Sequence, residues 1–259
     1  MQGAFGWNFT RGATAEGCSS PPCQAPNCYA DFAFANVGFG ITPWGAHTGM
    51  AGLPVDTSAL DRFDVRHNVS WSWTDNAPGL APPPTSANNS RRIRFIYDFF
   101  LTSEKPREGV NIAHKVTDEV TINLASEPAF PGSQPPGCLD PDSRFGKNGT
   151  YGPVVEKTVW DGSYWYDYYY TDHHDAVPGT GSRYSSFRRR GLQRDSQPPP
   201  TVNLIPFLRA IAKMWPAEPV GPWLGHISLA TELYDHVSGN VIFHSPPSFT
   251  AQLLQSTLR

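Results

Sequence analysis

VTDEVTINLAS, residues 116–126, reads as a β-strand with two faces of different character. Val120, Ile122 and Leu124 alternate with Glu119, Thr121 and Asn123, and a period of two is the period of an extended chain. The apolar set points to a core and the polar set to a surface. A glutamate on such a surface is either a solvated residue or, where the surface lines a cleft, a carboxylate available to a ligand. What the other strands bring to that face separates the two.

The same alternation recurs along the chain. HNVSWSWT (67–74) sets Val69, Trp71 and Trp73 against Ser70, Ser72 and Thr74. RIRFIYDFF (92–100) sets Ile93, Phe95, Tyr97 and Phe99 against Arg94, Ile96, Asp98 and Phe100. YWYDYYY (164–170) is aromatic on both sides, and HISLATELY (226–234) and GNVIFHS (239–245) close the series. One segment departs from it. In TVNLIPFLRAIAKMWP (201–216), Leu204, Leu208, Ile211 and Trp215 recur at helical spacing. Asn203 reads as the N-cap, Pro206 lies in the first turn where its missing N–H costs nothing, and Pro216 ends the helix. Many strands with a single amphipathic helix predict an all-β sandwich of two antiparallel sheets with one helix on an outer, convex face.

Composition agrees. Of 259 residues, 26 are Pro and 23 Gly, and 13% are aromatic, as turn-rich β proteins require. The proline patches at 77–86, 131–137 and 196–201 separate strand-like segments and read as loops of one domain spanning 1–259. Residues 1–60 form its cysteine-containing N-terminal part. A net charge of −3 leaves no cationic excess to neutralise phosphates, so a nucleic-acid partner is not expected. No apolar run reaches the roughly 18 residues of a membrane span. Sequons at Asn8, Asn68, Asn88 and Asn148, and an even set of four cysteines at 18, 23, 28 and 138, predict a secreted, disulfide-bonded glycoprotein. MQGAFGWNFT lacks a basic n-region and an apolar run, so the chain reads as a mature form whose leader has been removed. TDHHD (171–175) reads as a polar loop, since neighbours on a strand point to opposite faces; no metal or cofactor is expected.

A second strand carries a glutamate of the same kind. In ISLATELYDH, Ile227, Leu229, Thr231 and Leu233 share one face, and Ser228, Ala230, Glu232 and Tyr234 the other. Two carboxylates on separate strands of one face are the machinery of glycoside hydrolysis: one attacks the anomeric carbon, the other protonates the leaving oxygen. Proximity of the first negative charge raises the second residue's pKa, which that proton donation needs.

Here the sequence resembles family 12 of the glycoside hydrolases. SWSW (70–73), RRIRFIYDFFLTSEKP (91–106), DEVTINLA (118–125), GSYWYDYYY (162–170) with RYSSF (183–187), VNLIPFLRAIAKMW (202–215) and LGHISLATELYDHVSGNVIF (224–243) follow the order of that family's motifs, over roughly residues 60–250. ITPWGA (41–46) resembles a relic of its N-terminal Trp-Gly signature. The resemblance implies a β-jelly roll with a concave cleft, monomeric and secreted, acting on a polysaccharide or oligosaccharide. It implies Glu119 as nucleophile, Glu232 as acid/base and Asp98 as the aspartate beside the nucleophile. Trp71, Trp73, Thr121, Asn123, Tyr234 and Trp165 are the expected substrate-binding residues. It implies retaining cleavage of internal β-linkages, as in an endo-β-1,4-glucanase; Thr121 and Asn123 stand where the family has Met and Trp, which removes stacking surface and adds hydrogen bonding, and an alternative on the same chemistry is a changed glycan such as xyloglucan or another non-cellulosic polymer. A carbohydrate-binding protein without catalysis is the alternative on the same sandwich.

Overall fold

The computed structural model describes residues 5–10, 33–48, 52–75, 93–126, 158–173, 179–191, 196–233 and 237–253. Two sheets face each other across a common core. The smaller runs in the order β1 (Phe5–Thr10), β13 (Val237–Leu253), β4 (Leu60–Asp75), β10 (Thr201–Asn203). The larger runs β2 (Ala33–Gly40), β12 (His226–Leu233), β5 (Ile93–Thr102), β6 (Val116–Ser126), β9 (Arg183–Arg189), β8 (Trp165–His173), β7 (Thr158–Trp160). Two short strands, β3 (Val55–Asp56) and β11 (Trp223–Leu224), continue it, β11 pairing with both β3 and β5.

The predicted alternation holds on the strands that matter. Phe95, Tyr97 and Phe99 of β5, Val120, Ile122 and Leu124 of β6, and Ile227, Leu229 and Thr231 of β12 are all sealed from solvent. They meet Phe63, Val65 and Trp71 of β4 and Val241 and Phe243 of β13. The sheets are antiparallel except at β6–β9, which are parallel. That pairing needs a long crossover, and the chain between them supplies β7 and β8 on its way back to the sheet.

The helix α1 spans Ile205–Met214. It starts one residue later than expected, with Leu204 at the cap position. Asn203 still serves it: its Oδ1 accepts the Ile205 N–H at 3.2 Å and the Phe63 N–H of β4 at 3.1 Å. Phe207 of α1 packs edge-on against Tyr166 and Phe187, with ring centroids 4.9 and 5.0 Å apart. The helix thus lies on the core side of the larger sheet, the side away from Glu119.

Candidate active site

Residues paired across neighbouring strands point to the same side of a sheet, so the register places every polar side chain of the larger sheet's other face. Three rows surround Glu119. The first holds Phe100, Glu119 and Tyr184. The second holds Ser228, Asp98, Thr121 and Ser186. The third holds Ala230, Ile96, Asn123, Arg188 and Asp167. Asp98 and Glu119 are diagonal neighbours on adjacent strands, a geometry that puts the two residues roughly 7–8 Å apart and their Cβ atoms somewhat closer.

Asp118, adjacent to Glu119 in sequence, goes the opposite way. It is fully buried and takes a two-pronged ion pair from Arg183 at 2.8 and 2.9 Å. Arg183 also donates to the Glu218 and Pro219 carbonyls, and the Gly221 N–H lies 3.0 Å from the Thr117 hydroxyl. This network clamps β6 and β9 to the chain after α1 and anchors the strand that presents Glu119.

The polar face is internally bonded around Thr121. Its hydroxyl lies 2.8 Å from the Tyr184 hydroxyl and 3.0 Å from Ser186 Oγ. The Asn123 side chain is 8% exposed and, among the described residues, its Oδ1 has no hydrogen-bond partner. At the other end of the face, Asn36 of β2 donates to Ser228 at 3.4 Å. His226, two residues before Ser228, alternates onto this face, and burial pushes its imidazole down to about 4.

Beside Glu119 stands a residue whose placement sequence reasoning missed. The turn after β2 carries Trp44, 48% exposed, whose ring meets the edge of Phe100 at 5.3 Å and 89°. That turn is fixed from both sides: Gly109 N–H donates to Gly45 O, and Ile112 N–H to Pro43 O. Gly45 has φ +86°, and a Cβ there would lie 2.7 Å from the Val110 nitrogen, so only glycine lets the turn dock. The Trp-Gly pair in ITPWGA was the available signal.

Other expected residues fall differently. Trp71 is corrected: it is 4% exposed, its ring packs on Phe95 between the sheets, and its Nε1 donates to the Ser196 carbonyl at 2.9 Å, so it is core and not a sugar platform. Trp165 is 49% exposed and pairs with the equally exposed Trp160, their centroids 5.3 Å apart. Through Asp167 and Arg188 both lie on the Glu119 face. Glu232 lies on this face by register, opposite Arg94; its side chain and that of Trp73 are outside the described residues, as are Tyr234 and all four cysteines. The polar loop expected at 171–175 is corrected in part: Thr171, Asp172 and His173 end β8 and pair with Ser185, Tyr184 and Arg183 of β9, while the proline patches at 77–86 and 131–137 lie outside the described residues.

Relative to Phe100, which faces Glu119, Arg94 is six residues along β5. Six residues of straight strand span roughly 20 Å, so Glu119 and Glu232 meet only if the sheet curls tightly around this face. Among the described residues no group of three or more His, Cys, Asp or Glu is placed to hold a metal. No described helix is long and apolar enough to cross a membrane.

No family model and no curated protein matches the sequence. Solved structures do. A family 12 xyloglucanase from Bacillus licheniformis superposes with a TM-score of 0.58 at 17% identity, over 97% of this chain and 83% of that one; it has also been solved in complex with a ligand. An endoglucanase from Rhodothermus marinus gives 0.50 at 19% identity, over 88% and 77%. An endo-1,4-β-glucanase gives 0.50 at 15%, over 95% and 83%. The fold is a divergent version of the family 12 jelly roll.

Proposed function

We propose that this family-12-like jelly roll is a secreted retaining glycoside hydrolase that cuts internal β-linkages of a polysaccharide. One observation carries the reading: Glu119 and Glu232 alternate onto the same polar face of the larger sheet, with β5 and its Asp98 between them. In the first step, which needs the curl of the sheet to bring the two carboxyls to roughly 5–5.5 Å across the six-residue offset, the Glu119 carboxylate attacks the anomeric carbon while Glu232 gives its proton to the departing glycosidic oxygen. A glycosyl ester on Glu119 results. In the second step Glu232, now ionised, takes a proton from water as that water attacks the same carbon, and Glu119 is released as the carboxylate. Asp98 orients Glu119. Thr121 and Asn123 offer hydrogen-bonding groups to sugar hydroxyls. Trp44 and Trp165 supply exposed ring faces for pyranose C–H groups. No cofactor enters the chemistry. The substrate is a glucan or a substituted relative such as xyloglucan. The chain acts outside the cell, its cysteines paired and Asn68, on an exposed part of β4, glycosylated.

The test is hydrolysis of a glycan panel followed by proton NMR of the first product. A β-anomer supports the retaining route, and an α-anomer overturns it. Glu232→Gln is expected to lower kcat about 10²–10⁴-fold, with Glu119→Gln at least as severe. The six-residue offset along β5 favours a second reading, in which the face binds glycans without cutting them. Saturable glycan binding by a wild-type protein that releases no sugar from any polymer establishes that reading instead.

A further inference from the structure

A cavity of about 420 Å3 opens at the turn between β5 and β6. Trp223 of β11 forms one wall, and Val110 and Ile112 form an apolar side. Trp223 pairs with Thr102, two residues beyond Phe100 on β5, so it lies on the Glu119 face, across β5 and one row on. Two strand spacings and one pleat repeat put their Cα atoms roughly 12 Å apart. The turn that carries Trp44 rests on the same 107–112 segment. The cavity is therefore a continuation of the face that holds Glu119.

Its charge is one-sided. Glu104 is taken up by Lys115 at 2.6 Å, and that hydrogen bond and charge hold its carboxyl below the ordinary range. Lys105 and Arg107 also line the cavity, and among the described residues neither forms an ion pair. The Lys105 ammonium instead sits over the Trp223 ring, 5.3 Å from its centroid. Two exposed cations without an ion pair among the described residues, Arg107 close enough for its charge to act on Glu104, stand beside an aromatic and aliphatic wall and suit a ligand with an apolar ring face and an anionic group. A carboxylate would gain charge-assisted hydrogen bonds here that a neutral sugar cannot make.

We propose that this cavity is a subsite for an acidic sugar, a uronic acid residue whose ring lies against Trp223 and Val110 and whose carboxylate is held by Lys105 and Arg107. The proposal rests on the glycan-active reading of the Glu119 face and narrows its substrate to a uronate-bearing polysaccharide.

The experiment is calorimetric titration of the full chain, carrying Glu119→Gln so that the ligand survives, with a glucuronate-containing oligosaccharide and its neutral glucose counterpart. The acidic ligand is expected to bind roughly tenfold tighter or more, the worth of one charge-assisted hydrogen bond. Lys105→Gln with Arg107→Gln should bring the two affinities within about twofold. High salt on the chain without those two changes should narrow the gap in the same direction, which keeps the test intact if the double variant folds poorly. Equal affinities, or a preference untouched by both the variant and salt, overturn the subsite. The hydrolysis assay is read separately. An acidic glycan bound through Lys105 and Arg107 but never cut supports the subsite and overturns the hydrolase. A neutral glycan cut without charge preference does the reverse.

Discussion

Asp118 and Glu119 are neighbours with the same charge and opposite fates. Alternation alone requires that one face the core and the other the surface, and β6 sends Asp118 inward to Arg183. A buried ion pair is a poor source of net stability, yet removing one partner strands the other charge in a dry interior. Arg183→Ala is therefore expected to lower stability by roughly 3–5 kcal/mol, and Asp118→Asn to weaken it in the same direction. Glu119→Gln should change it by about 1 kcal/mol or less. Urea unfolding of the three variants separates a structural carboxylate from a functional one. Trp71 teaches the converse. Its strand was recognisable and so was the side it shares with Val69, but which side meets the other sheet depends on residues far away, here Phe95 and Ser196.

At the scale of elements, Asn203 does two tasks with one oxygen. It receives the first turn of α1 and pins β4 to the helix start. Asn203→Ala leaves two buried N–H groups without that acceptor, so a loss of about 2 kcal/mol is expected, above the ~1 kcal/mol of an ordinary cap. A fall in the thermal midpoint checks it. Strand β13 shows where local reading stops short. Only 239–245 reads as a strand, because Pro246 and Pro247 argue against continuation. The strand in fact runs to Leu253, and the ladder slips between Ser245 and Ser248 where the prolines sit. A bulge absorbs the missing donors, at a stretch of β13 beyond its pairing with β1, where among the described residues only β4 lies alongside.

For the whole molecule, two buried imidazoles set a pH dependence. Burial lowers His67, in the core against Tyr97, and His226, on the Glu119 face, from 6.5 to about 4. The folded protein keeps both neutral down to about pH 4, while the unfolded chain takes up protons from about pH 6.5. Stability is therefore full above pH 6.5 and falls as the pH drops towards 4, by on the order of 2–3 kcal/mol for each group. Urea midpoints at pH 7, 5.5 and 4.5 measure the decline, and His226→Gln should flatten it.

What the amino-acid order determined was periodic and local: which residues of β5, β6 and β12 are core, where α1 lies, and that Glu119 leaves the core while Asp118 enters it. Period-two patterns carry that information because each residue's side follows from its neighbours alone. Tertiary structure alone decided which strands stand together. It set β5 between the two glutamates, six residues out of step, and brought the Trp44 turn onto Phe100 and the Lys105–Arg107 turn beside Trp223. Those juxtapositions join segments dozens of residues apart through backbone pairing and loop docking, and no short-range pattern encodes the register in which distant strands meet.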